Sequence, residues 1–378
     1  MRSFAAEFDH LEREGLLRRR RTLEGPQGAH VEVDGNAYAS YCSNDYLGLA
    51  NHPRLIEAVC EGARRYGVGA GASHLLCGHG IAHARAEKAL AEFLGLPAAL
   101  LFSTGYMANI GAITMLAGRN DALFCDKLNH ASLNDAAVLS RAKVYRYPHL
   151  DMAALAERLA RAGARRKLVV TDAVFSMDGD IAPVPELLEL CERFDAWLLL
   201  DDAHGFGVLG RHGGGILSHF EISSPRIVYV GTLGKAAGVA GAFVAGQADM
   251  IEMLVQRAGS YIYTTAQPPL LSEAILASLD LIAGESWRRA HLHELILRLK
   301  SHAGHVLQPS DTPIQPLVVG ENEACLRLSS SLQALGILVP AIRPPTVPKA
   351  RLRISLSAAH TFDDLDRLIA ALKHDAAY

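Results

Sequence analysis

Short apolar runs alternate with helical patterns through the middle of the chain. The runs that predict buried strands are 98–102, 123–125, 144–147, 168–174, 197–200, 227–230 and 241–245. Helical spacing is found between several of them, at 106–116, 131–140, 152–161 and 185–194. Strands and helices that alternate in this way form a mostly parallel sheet covered by helices on both faces. We therefore predict an α/β fold built on a seven-stranded type of sheet.

The N-terminal part of the chain has a different pattern. Residues 4–17 predict an amphipathic helix, and four arginines follow it at 18–21. This basic run suits either a solvated helix end or an anion-binding arm. A polar stretch near 31–41 resembles a hairpin. We predict an N-terminal helical arm over residues 1–44.

The last third of the chain changes pattern once more. Residues 268–306 predict one long helix or two. Beyond them, strand patterns at 314–319, 337–339 and 351–357 are separated by helical segments at 323–335 and 362–373. This arrangement predicts a large domain over residues 45–312 and a small C-terminal α+β domain over residues 313–378.

Composition narrows the class of protein. Half of the 378 residues are hydrophobic and a fifth are charged, as in a soluble globular enzyme, and the net charge of −3 argues against a nucleic-acid partner. No apolar run approaches the roughly 20 residues that span a bilayer, and the first residues do not resemble a signal peptide. Six cysteines without C-x-x-C spacing suit reduced thiols in the cytoplasm and predict no metal site.

Glycines cluster between residues 67 and 80 and include a G-x-G-x-G run. A dinucleotide fingerprint would need a preceding strand and a later acidic residue, and both are missing here. A nicotinamide oxidoreductase is disfavoured for this reason. We interpret the cluster as a tight loop near a cofactor or a subunit interface.

Chemically capable side chains follow several of the predicted strands. Because parallel strands place their carboxyl ends at one edge of a sheet, we expect these side chains to converge there. Gly105 and Tyr106 begin a helix whose N-terminus favours a phosphate. The other candidates at strand ends are His130, Ser176, Asp201, His204, Thr232 and Lys235.

Lys235 and Asp201 form the most informative pair. Lys235 lies on a small-residue turn after one apolar run, and Asp201 closes another. Pyridoxal 5′-phosphate needs an amine for its Schiff base and a carboxylate that keeps its ring nitrogen protonated. We therefore expect this cofactor, with phosphate contacts from Gly105 and Thr232 and a contact from His204 to the ring hydroxyl.

Seven segments together resemble the α-oxoamine synthases of the fold-type I pyridoxal phosphate superfamily. They are residues 43–49, 74–79, 129–132, 175–179, 201–205, 231–235 and 352–360. The resemblance covers the chain from about residue 41 to 375 and implies an aspartate aminotransferase-like fold. Leu233 departs mildly from the family, in which a bulkier aromatic residue is common at this position.

The resemblance also implies substrate contacts. The loop at 341–348 resembles that of the family members that condense L-alanine with a pimeloyl thioester, carried by coenzyme A or an acyl carrier protein. It implies Arg343 for the amino-acid carboxylate, Thr346 beside the substrate, Arg18 for the acyl substrate, Asn44 as a further substrate contact, and His130 stacked on the cofactor ring. The register within Arg18–Arg21 stays open.

Two features of the implied function remain alternatives. Thr264 resembles a residue that reaches the phosphate of a neighbouring subunit in a homodimer, although residues 263–265 also suit an ordinary strand. The runner-up activity is that of glycine C-acetyltransferase, which uses glycine and acetyl-CoA. A catalytically silent relative is disfavoured because such proteins usually lose the Schiff-base lysine.

Overall fold

The chain forms two compact units within residues 4–375, which the computed structural model describes. The first unit comprises residues 4–51, 177–180 and 287–375, and the second comprises residues 52–176 and 181–286. The predicted N-terminal arm and the predicted small domain both contribute to the first unit.

Both units contain helices and strands. The helices are α1 (Ala5–Arg13), α2 (Pro53–Tyr66), α3 (Ile81–Leu94), α4 (Gly105–Leu116), α5 (Ala131–Ser140), α6 (Met152–Arg161), α7 (Val184–Arg193), α8 (Gly215–Phe220), α9 (Ala248–Arg257), α10 (Gly259–Ile262), α11 (Pro269–Gly284), α12 (Ser286–Ala303), α13 (Asn322–Ala334) and α14 (Phe362–Asp375). The strands are β1 (His30–Val33), β2 (Asn36–Ser40), β3 (Ala98–Phe102), β4 (Ala122–Asp126), β5 (Lys143–Tyr147), β6 (Lys167–Asp172), β7 (Ala196–Asp201), β8 (Ile227–Thr232), β9 (Ala242–Gly246), β10 (Ile314–Gly320), β11 (Ile337–Leu338), β12 (Ala341–Ile342) and β13 (Ala350–Ser355).

A seven-stranded sheet organises the second unit. Its strand order is β3-β9-β8-β7-β6-β4-β5, and every strand runs parallel to the others except β9. The central strands β6 and β7 are buried almost throughout because helices cover both faces of the sheet. The predicted α/β fold with a mostly parallel sheet is confirmed.

Helix boundaries in this unit follow local chemistry. Thr104 caps α4 by accepting a hydrogen bond from the Met107 N–H at 3.1 Å, and Asp151 caps α6 in the same way. Gly95 ends α3 in the left-handed conformation that glycine adopts without strain. These caps fix where each helix starts relative to the strand before it.

No helix or strand was predicted for residues 53–94. The structure forms α2, a π-helical turn at His74–Gly78 and α3 in this region. The buried face of α3 consists of alanines, a histidine and one leucine, so its apolar periodicity is weak. Small side chains can still be fully buried, which the apolar pattern alone does not reveal.

The first unit contains two small sheets. In one, β1 and β2 form an antiparallel hairpin around Asp34 and Gly35, which both have positive φ as a tight hairpin turn requires. β11 joins this hairpin parallel to β2, whereas β10, β13 and β12 form a separate antiparallel sheet. The strands predicted after residue 313 therefore belong to two sheets.

Helix α1 is shorter than the predicted helix over residues 4–17. It ends at Arg13 because Gly15 adopts a positive φ, after which the N–H groups of Leu16 and Leu17 both donate to the Leu11 carbonyl. None of the helices described over residues 4–375 is long and apolar enough to cross a membrane.

Candidate active site

The carboxyl edge of the large sheet gathers most of the predicted site residues. Asp201 is the last residue of β7 and Thr232 the last residue of β8. His130 follows β4 and caps α5, and Gly105 follows β3 as the first residue of α4. Because β3, β4, β7 and β8 run in one direction, these residues share one edge.

Asp201 is held by a hydrogen-bond clamp. Its Oδ2 accepts from Asn109 Nδ2 at 2.6 Å, and its Oδ1 accepts from the Ala203 N–H at 3.1 Å. Asn109 also donates to Ser132 Oγ at 2.9 Å. The Asp201 side chain is almost fully buried, so these bonds orient a carboxylate that is shielded from water.

His130 is fixed through its backbone and its ring. Its N–H donates to Asp172 Oδ2 at 2.7 Å, and its Nδ1 lies 2.8 Å from Ser132 Oγ. Desolvation lowers the pKa of His130, while the Asp201 carboxylate opposes this shift. Burial and the Asp201 charge raise the pKa of Asp172 well above its ordinary value. Because its pKa is lowered, the His130 imidazole is neutral at pH 7.

Lys235 and His204 contact each other directly. Lys235 Nζ lies 2.9 Å from His204 Nε2. His204 is buried, and Lys235 is half-buried on the turn that follows β8. The charge of Lys235 lowers the pKa values of His130 and Asp172. The amine is therefore close enough to interact electrostatically with both side chains.

The start of α4 lies against the end of β8. A Cβ atom on Gly105 would come within 4.0 Å of the Thr232 side chain, so the two residues are in close contact. The Thr232 hydroxyl donates to the Gly241 carbonyl at 3.2 Å. The first-turn N–H groups of α4 lie beside a hydroxyl here, an arrangement that suits a phosphate group.

Tyr106, Ser176 and Thr264 are the remaining predicted residues of the second unit. Tyr106 is 44% exposed, and its hydroxyl donates to Asp135, which raises the pKa of the tyrosine. Ser176 is half-buried in the loop after β6. Thr264 lies beside the bridge between Ser73 and Thr265, and no hydrogen bond within the described chain links it to the Lys235 group.

The first unit contains a separate group around Asn44. Arg353 donates to Asn44 Oδ1 at 3.1 Å, to Ser355 Oγ at 2.7 Å and to the Tyr46 hydroxyl at 3.3 Å. Arg353 is almost fully buried on β13. The resemblance named Asn44 but not Arg353, although the guanidinium group is the one suited to a carboxylate.

Arg343 and Arg18 bind the N-terminal segment to the loop after β12. Arg343 donates to the Gly15 carbonyl and, at 3.5 Å, to the Leu17 carbonyl. Arg18 Nη2 donates to Thr346 Oγ1 at 3.3 Å. The structure thus brings Arg18, Thr346 and Arg343 together in one region of the first unit. The Arg343 guanidinium donates its hydrogen bonds to backbone carbonyls there.

Three residues of these groups were not predicted from the sequence, namely Asn109, Asp172 and Arg353. Asn109 is the single amide side chain on a mostly apolar helix, and that contrast is a readable signal. Asp172 closes β6 as Asp201 closes β7, so the same strand-end argument applies to it. Among residues 4–375, no cluster of three His, Cys, Asp or Glu side chains is arranged to hold a metal ion.

Comparison with known proteins shows the family to which the chain belongs. Residues 39–372 match the model of the class I and II aminotransferase family. The 8-amino-7-oxononanoate synthase of Nitrosospira multiformis is 65% identical over 363 residues, which cover 95% of this chain and 92% of the relative.

Two solved structures extend the comparison. Serine palmitoyltransferase from S. paucimobilis with bound PLP and myriocin is 28% identical, with a TM-score of 0.93 and coverage of 99% of this chain and 98% of that chain. The 8-amino-7-oxononanoate synthase of Francisella tularensis is 31% identical, with a TM-score of 0.78 and coverage of 90% and 98%. The chain belongs to the class I and II aminotransferase family and, within it, to the 8-amino-7-oxononanoate synthases.

Proposed function

We propose that this protein condenses L-alanine with a pimeloyl thioester to give 8-amino-7-oxononanoate, CO2 and free thiol, a step of biotin synthesis. A new bond forms between the alanine Cα and the thioester carbonyl, and the thiol leaves. The alanine carboxyl group departs as CO2. The observation that carries the proposal is the carboxyl edge that holds Lys235, Asp201 and His130.

The residues at this edge fit pyridoxal 5′-phosphate. Lys235 offers an amine, the clamped Asp201 carboxylate is buried, and the start of α4 lies beside Thr232. The Asn109 Oδ1 atom is buried without a hydrogen-bond partner, so the clamp still has capacity for a further donor. When bound, this cofactor supplies the electron sink for the electron pair left on the alanine Cα.

Each residue at the edge has a distinct role in this proposal. Asp201 would keep a proton on the ring nitrogen. Gly105, Tyr106, Ser176 and Thr232 would hold the phosphate end and the ring, and His204 would contact the ring hydroxyl. Lys235, which lies half-buried beside His204, would remove the Cα proton of alanine. His130 would lie over the ring and help to protonate or orient the ketone.

Substrate recognition is assigned to the first unit. Asn44 contacts the substrate, and Arg353 beside it is an alternative to Arg343 for the alanine carboxylate. The hydrogen bond from Arg353 to Asn44 supports this alternative, whereas Arg343 donates to the Gly15 and Leu17 carbonyls. Arg18 and Thr346, which contact each other, bind the acyl substrate.

The protein acts in the cytoplasm as a homodimer whose two subunits share their active sites. Large apolar side chains are exposed at Val68, Leu75, Leu76 and Ile81 within one short stretch of chain, and Tyr263 is exposed as well, which suits a surface that a second subunit covers. In the dimer, Thr264 reaches the phosphate of the neighbouring subunit. Light scattering of the purified protein is expected to give twice the monomer mass of 40.6 kDa.

A product assay tests the reaction. Purified protein with the cofactor is given alanine and pimeloyl-CoA or pimeloyl-acyl carrier protein, and thiol release is followed together with the product mass. We expect thiol and 8-amino-7-oxononanoate in equal amounts. If glycine and acetyl-CoA react faster, the protein is a glycine C-acetyltransferase instead. If neither pair releases thiol, the proposed activity is wrong.

A further inference from the structure

Asp202 follows Asp201 but has no role in the proposed reaction. Its side chain is completely buried. Its Oδ2 accepts a hydrogen bond from the Tyr229 hydroxyl at 2.8 Å and another from the Ile216 N–H at 2.6 Å. A carboxyl group so far from water needs such partners, because unpaired burial of a polar group costs free energy.

The chain from residue 202 to 216 wraps around this carboxyl group. The Asp202 carbonyl accepts from the Gly205 N–H at 3.2 Å and from the Phe206 N–H at 2.9 Å. A Cβ atom on Gly205 would lie 2.1 Å from Asp202 Oδ1, and one on Gly215 would lie 2.0 Å from Oδ2. Only glycine leaves the carboxyl group its space at these two positions.

The same segment carries His204. His204 is two residues beyond Asp202, and its Nε2 lies 2.9 Å from Lys235 Nζ. Tyr229 belongs to β8, the strand that leads to the Lys235 turn. The Asp202–Tyr229 hydrogen bond therefore ties the His204 segment to the strand that precedes Lys235.

We propose that Asp202, held by Tyr229, is the positioning residue that sets His204 against Lys235. This inference rests on the proposed function, in which Lys235 carries the cofactor. Two charged or titratable side chains face Asp202, namely Asp201 and Tyr229. Burial, with a contribution from Asp201, raises the pKa of Asp202 to about 7 against the opposing hydrogen bonds of Ile216 and Tyr229.

The test is a pH titration of the Lys235–cofactor absorbance in the holoenzyme. Asp202→Asn keeps the shape of the side chain but removes its charge, and Tyr229→Phe removes only the hydroxyl in case the first variant folds poorly. His204→Gln and the double variant Asp202→Asn/His204→Gln complete a double-mutant cycle. Asp195→Asn, at an exposed turn position, is the matched control.

We expect Asp202→Asn to shift the titration midpoint by about 0.5 to 2 pH units, the size of coupling between groups in contact. In the His204→Gln background the same substitution shifts the midpoint no further, because its effect passes through His204. Tyr229→Phe shifts the midpoint in the same direction, and Asp195→Asn leaves it unchanged.

The outcomes separate this inference from the proposed function. If the wild-type protein with added cofactor shows no such absorbance, the proposed function fails. If the absorbance is present but both Asp202→Asn and Tyr229→Phe leave its midpoint unchanged, the inference is overturned. An equal shift in the presence and absence of His204 also overturns it, because Asp202 would then act independently.

Discussion

The Asp201 edge of the second unit and the arginine group of the first unit are built in different ways. At the edge, side chains sit at or just after the ends of adjacent parallel strands and bond to one another. In the arginine group, Arg343 reaches carbonyls 328 and 326 positions away, and Arg18 reaches Thr346 across 328 positions. In the proposed function the sheet thus holds the chemical groups, whereas loops and the N-terminal segment are assigned to substrate recognition.

The largest effect is expected at the edge. His130→Ala should lower kcat by about 10²–10⁴-fold, as loss of a group that assists proton transfer does, while cofactor absorbance remains. Because its pKa lies below 6.5, the ring is neutral at pH 7 and gains a proton only at more acidic pH. The acid limb of the wild-type kcat profile should therefore lie below pH 6.5 and be absent from His130→Ala. Loss of cofactor absorbance in this variant would contradict the assigned role.

Breaking the carboxylate clamp should have a smaller effect. Asn109→Ala removes the 2.6 Å donor to Asp201. A hydrogen bond to a charged group contributes about 1.5–3 kcal/mol, so cofactor affinity should fall by about 10–100-fold. Thr114→Ala, another polar position on α4, is the control. An unchanged dissociation constant for Asn109→Ala would mean that the clamp does not support the cofactor.

Comparing two arginines sharpens the contrast on the recognition side. We expect Arg353→Lys to raise the KM for alanine by roughly tenfold, since a lysine cannot reproduce bidentate binding of a carboxylate. Arg343→Lys should leave the KM for alanine within about twofold, because Arg343 bonds backbone carbonyls. Steady-state kinetics with alanine as the varied substrate distinguishes them. The reverse order would restore Arg343 as the carboxylate ligand.

The smallest effect is expected on the N-terminal segment. The ion pair between Arg19 and Glu12 is exposed, so Glu12→Gln should change Tm by about 1 °C or less. Asp178→Asn breaks a pair with Arg351 whose side chains are only 14% and 6% exposed, and it should lower Tm by several degrees. Thermal denaturation of both variants checks the order, and a larger shift for Glu12→Gln would contradict it.

Strand ends explain why much of the edge was predictable. The runs ending near Asp201 and Thr232 are short and apolar, and parallel strands bring such ends together. Tyr106 shows the limit of this reasoning. It follows Gly105 directly in the sequence, but that position does not reveal the hydrogen bond from its hydroxyl to Asp135. The clamp from Asn109 depends on how α4 packs against the sheet, which no local pattern encodes.

The first unit was less predictable for a related reason. β11 has only two residues and pairs with β2 almost 300 positions earlier in the chain. Arg353 alternates with buried apolar residues on β13, so its partner Asn44 could not be read from spacing. The resemblance pointed to Asn44 and Arg343. Only the three-dimensional contacts show that Arg353 lies beside Asn44 and that Arg343 donates to the Gly15 carbonyl.

Reductive trapping of the cofactor tests the central claim most directly. Borohydride converts the bond between the cofactor and its lysine into a stable amine, and peptide mass mapping then locates the added mass. The account predicts a single label on Lys235 in the wild-type protein and no label at that peptide in Lys235→Ala. A label on another lysine, or an unlabelled wild-type protein after incubation with the cofactor, would contradict it.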